Sequence, residues 1–129
     1  MKKKLIIILA ILVIVFFIIY KLTIKPTSIK TTYLKDNKEY KDIKVESIAD
    51  IRINRYTEGG FNSDIVSDKN SIKKLYNTLI NMKYGKETDM ACEDNSTIYI
   101  IDFFDGTNKT ISIECDWIII GDKRYIIVE

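Results

Sequence analysis

The chain has 129 residues, 20 basic and 18 acidic, and a formal net charge of +2 that hides two unlike parts. Five lysines and no acid fall in residues 1–25, so the remainder holds 15 basic and 18 acidic residues and carries −3. That acidic remainder argues against nucleic acid, which needs a basic footprint, and the absence of histidine removes His-based nucleophilic catalysis and His-based zinc sites.

Residues 1–25 read as a transmembrane signal anchor. Lys2, Lys3 and Lys4 precede an unbroken apolar run from Leu5 to Tyr20. Lys21 can snorkel while Leu22 and Ile24 extend the run, bringing it near the roughly 20 residues that a spanning helix needs. A cleaved signal peptide is the competing reading. It usually ends at a small-x-small site, and Tyr20-Lys21-Leu22-Thr23-Ile24 offers none. The short basic head is expected to stay inside, which places the rest of the chain outside the cytoplasm as a single-pass membrane protein. No GxxxG-type motif in residues 5–24 argues for helix pairing.

Residues 26–42 are polar and lack a clean period, and they are read as a stalk. Residues 43–129 form the expected extracytoplasmic domain. A short strand can begin near Ile43. Along 47–56, Ile51 and Ile53 face one way and Arg52 and Asn54 the other. Gly59-Gly60 and Phe61–Val66 complete a hairpin. Ser67 or Asp68 then caps a helix whose apolar stripe is Ile72, Leu75, Tyr76, Leu79 and Met82, with Gly85 as its stop.

Residues 86–96 read as a polar loop. Thr97–Phe104, Asp105-Gly106 and Lys109–Cys115 predict a second hairpin. Its first strand is apolar on both faces and is therefore expected to be central; Ile111, Ile113 and Cys115 of the second are expected to face in. Trp117–Ile120, Gly121-Asp122 and Lys123–Val128 make the last hairpin. The order β-β-α-β-β-β-β gives an α+β class with a mostly antiparallel sheet and one packed helix.

The resemblance this pattern carries rests on Ser67-Asp68-Lys69-Asn70-Ser71-Ile72-Lys73-Lys74-Leu75-Tyr76, on Tyr99-Ile100-Ile101-Asp102-Phe103-Phe104-Asp105-Gly106-Thr107, and on Gly121-Asp122-Lys123-Arg124-Tyr125. Over roughly residues 45–128 the chain resembles small membrane-anchored extracytoplasmic Firmicute proteins of unknown function, of the YhfM-like type. The resemblance implies a tethered domain and brings no activity and no site residues. A bacterial source also fits the lysine- and isoleucine-rich, arginine-poor composition.

Candidate chemistry is sparse. No P-loop, dinucleotide fingerprint, nucleophile elbow or calcium-loop spacing occurs, so no cofactor and no enzymatic activity are expected. Cys92 and Cys115 are the only cysteines. A disulfide suits an extracytoplasmic compartment, and the alternative is two thiols with Cys115 filling the core. Glu87, Asp89, Glu93 and Asp94 cluster in the polar loop, with Asp116 a further acid. They are either a cation or small-ligand sensor or a solvated surface. Asp102 interrupts an apolar strand face, as a binding or protonation site, an edge residue, or the partner of Lys109. Tyr99, Trp117 and Tyr125, with Tyr56 and Tyr84, are candidate interaction aromatics or half-buried sheet residues. The expected function is a non-catalytic interaction domain for an unidentified protein, with an immunity or inhibitor role as one form of it. The alternative is the sensor using loop 86–96.

Overall fold

A computed structural model describes residues 2–23, 30–92 and 94–129. Ile24, Lys25, Pro26 and the start of the expected stalk lie outside the described residues, as does Glu93. Helix α1 (Lys2–Thr23) has 22 residues, enough to span about 33 Å at 1.5 Å per residue. Its apolar window is wholly unburied, so no other described part of the chain covers it. It is long and apolar enough to cross a membrane, a property shared with signal sequences.

The domain is α+β. One eight-stranded antiparallel sheet has the order β1-β4-β8-β7-β6-β5-β2-β3. The strands are β1 (Thr32–Tyr33), β2 (Ile48–Thr57), β3 (Gly60–Val66), β4 (Lys83–Thr88), β5 (Ser96–Phe103), β6 (Asn108–Glu114), β7 (Trp117–Ile120) and β8 (Lys123–Val128). Helix α2 (Lys69–Ile80) packs against β2 and against two 3-10 turns at Leu34–Asp36 and Val45–Ser47.

Alternation fixes the faces. Ile51 and Ile53 of β2, Ile101 of β5, Ile111 of β6, Ile118 and Ile120 of β7 and Tyr84 of β4 are buried beneath Ile72, Tyr76 and Leu79 of α2. The helix starts at Asp68, whose carboxylate accepts from the Ser71 backbone N–H at 3.0 Å. That bond and one from the Ser71 hydroxyl hold the Asp68 carboxyl below the usual range. β5 is central as expected, paired to β2 on one side and β6 on the other. The β5–β6 turn depends on Gly106 at φ 87° and the β7–β8 turn on Gly121 at φ 65°, where a side chain would be strained.

Several expectations are corrected. No strand begins at Ile43; the chain makes a 3-10 turn and enters β2 at Ile48. The helix ends at Ile80, and Asn81, not Gly85, closes it by bonding its backbone N–H to the Asn77 carbonyl. Gly85 instead lies inside β4, whose last residues, 86–88, fall within the segment read as a loop. β4 was hidden because Lys83-Tyr84-Gly85-Lys86-Glu87-Thr88 carries one large apolar residue, and its pairing with β8 shifts register between Tyr84 and Glu87. Residues 32–42 also contribute to the core. Leu34 is fully buried and its backbone N–H donates to the Met82 carbonyl. Tyr40 is buried too, and its hydroxyl donates to the Thr110 carbonyl at 2.8 Å. Burial first, then the nearby Glu39 charge, pushes the Tyr40 pKa up to about 12.

Leu34 therefore behaves as a core residue and not as part of a tether. Leu34→Ala is expected to lower unfolding stability by about 2–5 kcal/mol, measured by urea denaturation of the full chain in detergent. A change under about 0.5 kcal/mol, the level typical of surface positions, would contradict this placement.

Candidate functional site: the open face of the sheet

α2 covers one face of the sheet. The opposite face is built from the alternate residues of each strand. β2 contributes Asp50, Arg52, Asn54 and Tyr56, and the strand register sets Ile65, Ser63 and Phe61 of β3 opposite the last three. The other side of β2 brings Ile98, Ile100 and Asp102 of β5 onto the same face. β6 follows with Ser112 and Glu114, β7 with Trp117 and Ile119, and β8 with Arg124 and Ile126. Eight of these sixteen residues are apolar, and they alternate with polar and charged ones. Phe61 is 59% exposed, Ile65 65% and Ile126 38%, whereas Ile98, Ile100, Trp117 and Ile119 are half-buried by their neighbours. Tyr56 and Phe61 pack with ring centroids 5.0 Å apart.

Two ion pairs cross this face. Arg124 Nε donates to Glu114 at 3.1 Å across β7. Arg52 holds Asp102 by two bonds, Nε to Oδ2 at 2.6 Å and Nη2 to Oδ1 at 3.0 Å. Asp102 is therefore paired, but not with Lys109, which bonds Glu39 instead. Asn108, not Lys109, shares the face of Asp102 in the hairpin register. Asp50 is the direct neighbour of Asp102 across β2–β5. The Arg52 bonds, the largest cause, hold Asp102 below the usual carboxylate range. Burial, then hydrogen bonding to Asp102 and its charge, raises Asp50.

The sequence-derived candidates distribute differently from expectation. Cys92 and Cys115 form a disulfide, with Cα atoms 6.1 Å apart. Cys115 does not fill the core. β6 ends at Glu114, which pairs with Trp117, so Cys115 and Asp116 make a two-residue turn. Cys115 is exposed there at φ 50°, and its N–H donates to the Asn95 carbonyl at 3.0 Å. Glu87 lies in β4, 3.8 Å from Lys123, and not in a loop. Asp89 and Asp94 are exposed. Among the described residues no three cysteine or carboxylate side chains are grouped as metal ligands. Tyr99 and Tyr125 lie on the covered face and pack against the core, Tyr125 with its ring 5.1 Å from Tyr84. Of the three named aromatics only Trp117 is on the open face.

A concavity of about 410 Å³ lies where α2 begins, lined by Val45, Ile48, Ile72, Lys69 and Lys73 among others. Phe104, 74% exposed, stands at its mouth. Comparison of the chain with protein-family models, curated proteins and solved structures yields no match.

The Asp50–Asp102 pair has a readable pH signature. As pH falls, Asp50 takes its proton first. Because its folded pKa is raised, its contribution is lost as pH rises and recovered on acidification. Asp102 is depressed, so its contribution exists above the ordinary carboxylate range and is lost as pH falls through its folded value. Stability of wild type relative to Asp50→Asn is therefore expected to rise on acidification, while wild type relative to Asp102→Asn is expected to fall. Urea midpoints taken from about pH 7 to about pH 3 measure both differences, and flat differences would mean that neither carboxyl has a folded pKa displaced from its unfolded one. Removing the disulfide with Cys92→Ser and Cys115→Ser is expected to cost about 3 kcal/mol for a loop of this length, read in the same assay.

Proposed function

We propose that this chain is a non-catalytic interaction domain, tethered by α1 and working outside the cytoplasm, that offers the open face of its sheet to a protein partner. The observation that carries the reading is that face: it is uncovered by any described part of the chain, it presents Tyr56, Phe61 and Ile65 at one side and Trp117, Ile119 and Ile126 towards the other, and its charged groups are largely paired off at Arg52–Asp102 and Glu114–Arg124. Contiguous exposed apolar surface on a soluble domain marks an interaction site. Neutralised charge removes much of the desolvation cost that isolated ions would impose on a partner.

Two further features support the location. α1 has the length and composition of a membrane span. The Cys92–Cys115 disulfide suits an oxidising compartment. A tethered domain of the YhfM-like type would have the same layout. The non-catalytic part of the reading rests on the absence of histidine and of any recognised catalytic motif.

A photo-reactive amino acid placed at Ile119 in the full chain, in its native membrane, tests the reading. Irradiation is expected to give one defined adduct that Trp117→Ala reduces at least about tenfold, as loss of a central aromatic anchor does. The same probe at Lys74, exposed on α2, is expected to give none. Equal adducts from both positions, or none from Ile119, would overturn it. Protease added to intact spheroplasts is expected to remove the domain; full protection would place it inside.

A further inference from the structure

The two edges of the sheet are unlike. At one edge β1 is only two residues long, and Lys35 and Lys83 both lie over the Tyr33 ring, at 4.8 and 5.0 Å. Short edge strands and lysines are the usual protection against strand addition. The other edge, β3, has seven residues, Gly-Phe-Asn-Ser-Asp-Ile-Val. It contains no lysine, no proline and one acid, and it is exposed along all but its last residue.

The hairpin register decides which backbone groups of β3 are free. Glu58 and Gly59 form a two-residue turn, and Thr57 pairs with Gly60. The pair closing such a turn exchanges both backbone hydrogen bonds, and bonded and non-bonded pairs then alternate. Gly60, Asn62, Asp64 and Val66 thus direct their N–H and C=O groups to β2. Phe61, Ser63 and Ile65 direct theirs outward.

From these groups we infer that two copies of this chain pair edge to edge through β3, antiparallel about a two-fold axis at Ser63. Ser63 lies opposite its own counterpart, Phe61 opposite Ile65, and Asn62 opposite Asp64. Each outward group then meets an outward group, giving about six backbone hydrogen bonds from three bonded pairs. Shifting the register by one residue would set inward-directed groups against outward ones. The side chains agree with the same register. Phe61 and Ile65, among the most exposed apolar residues of the domain, cover each other across the axis. Asp64 meets an amide and not a second carboxylate. A two-fold axis normal to the sheet keeps both open faces on one side, so the two sheets continue as one. This pairing stands on the edge strand alone and does not depend on what the open face binds.

Cysteine cross-linking of the full chain in membranes tests it. The native cysteines are bonded to each other, so Ser63→Cys supplies the only free thiol. Opposed Cα atoms of a bonded antiparallel pair lie about 5.5 Å apart, within disulfide range. Mild oxidation is expected to convert Ser63→Cys to a covalent dimer on a non-reducing gel, at least about tenfold more than Asp122→Cys in the β7–β8 turn. Adding Ile65→Lys, a substitution on an exposed side chain that places a charge on the edge, is expected to abolish the dimer while the monomer keeps its far-UV circular dichroism and a cooperative unfolding transition. Cross-linking equal to that of Asp122→Cys, or unchanged by Ile65→Lys, would overturn the pairing.

Discussion

One helix cannot cover both faces of an eight-stranded sheet. Seven inter-strand spacings of about 4.8 Å make the sheet some 34 Å wide, while twelve residues of α2 are about 18 Å long. The chain meets this constraint by committing all its covering material to one side. α2 packs on β2 and residues 34–47 fill in beside it, which is why Leu34 and Tyr40 are buried although their surroundings are polar. The opposite face receives nothing from the described chain. Ile98, Ile100, Ile119 and Trp117 shield one another only to the half-buried level, and two arginine–carboxylate pairs lie among them.

The central strand shows how the two sides coexist. β5 alternates Tyr99, Ile101 and Phe103 toward the helix with Ile98, Ile100 and Asp102 away from it. Only the last is charged, and Arg52 on the neighbouring strand satisfies both its oxygens. Asp50 adds a second carboxylate where the β2 register shifts beside Ala49. The one acid that interrupts this apolar strand is therefore held by a bidentate partner, at a spot where the sheet is locally irregular.

Elements with a strong local signal were legible from the sequence. The stripe of α2, the Asp-Gly and Gly-Asp turns and the double-sided β5 all follow from periodicity and turn chemistry, because those forces act between near neighbours. What escaped depended on distant partners. β4 lacks alternation and is a strand because β8 lies beside it, about forty residues later. Leu34 gave no periodic signal, since its burial depends on α2 and Met82. Asp102 looked toward Lys109 because a hairpin partner is visible in sequence, whereas Arg52 reaches it through the β2–β5 pairing, which sequence order does not announce. Cys115 was assigned inward by extending the β6 alternation one residue too far; the positive φ of the turn redirected it. The open face itself was half-readable. Phe61, Ser63 and Ile65 share a parity, but nothing local says which parity the helix will cover.

The disulfide encloses the β5–β6 hairpin and nothing else, since Cys92 and Cys115 flank residues 96–114. For a chain emerging amino-terminus first, this makes a unit that can be clasped as soon as Cys115 is available. β2 is already present to receive it, and only β7 and β8 are still to come. β4 lies outside this loop, and its long partner β8 is made about forty residues after it. β4 is thus held in the sheet by Lys123–Val128 of β8, across a stretch of chain that the covalent loop lies within.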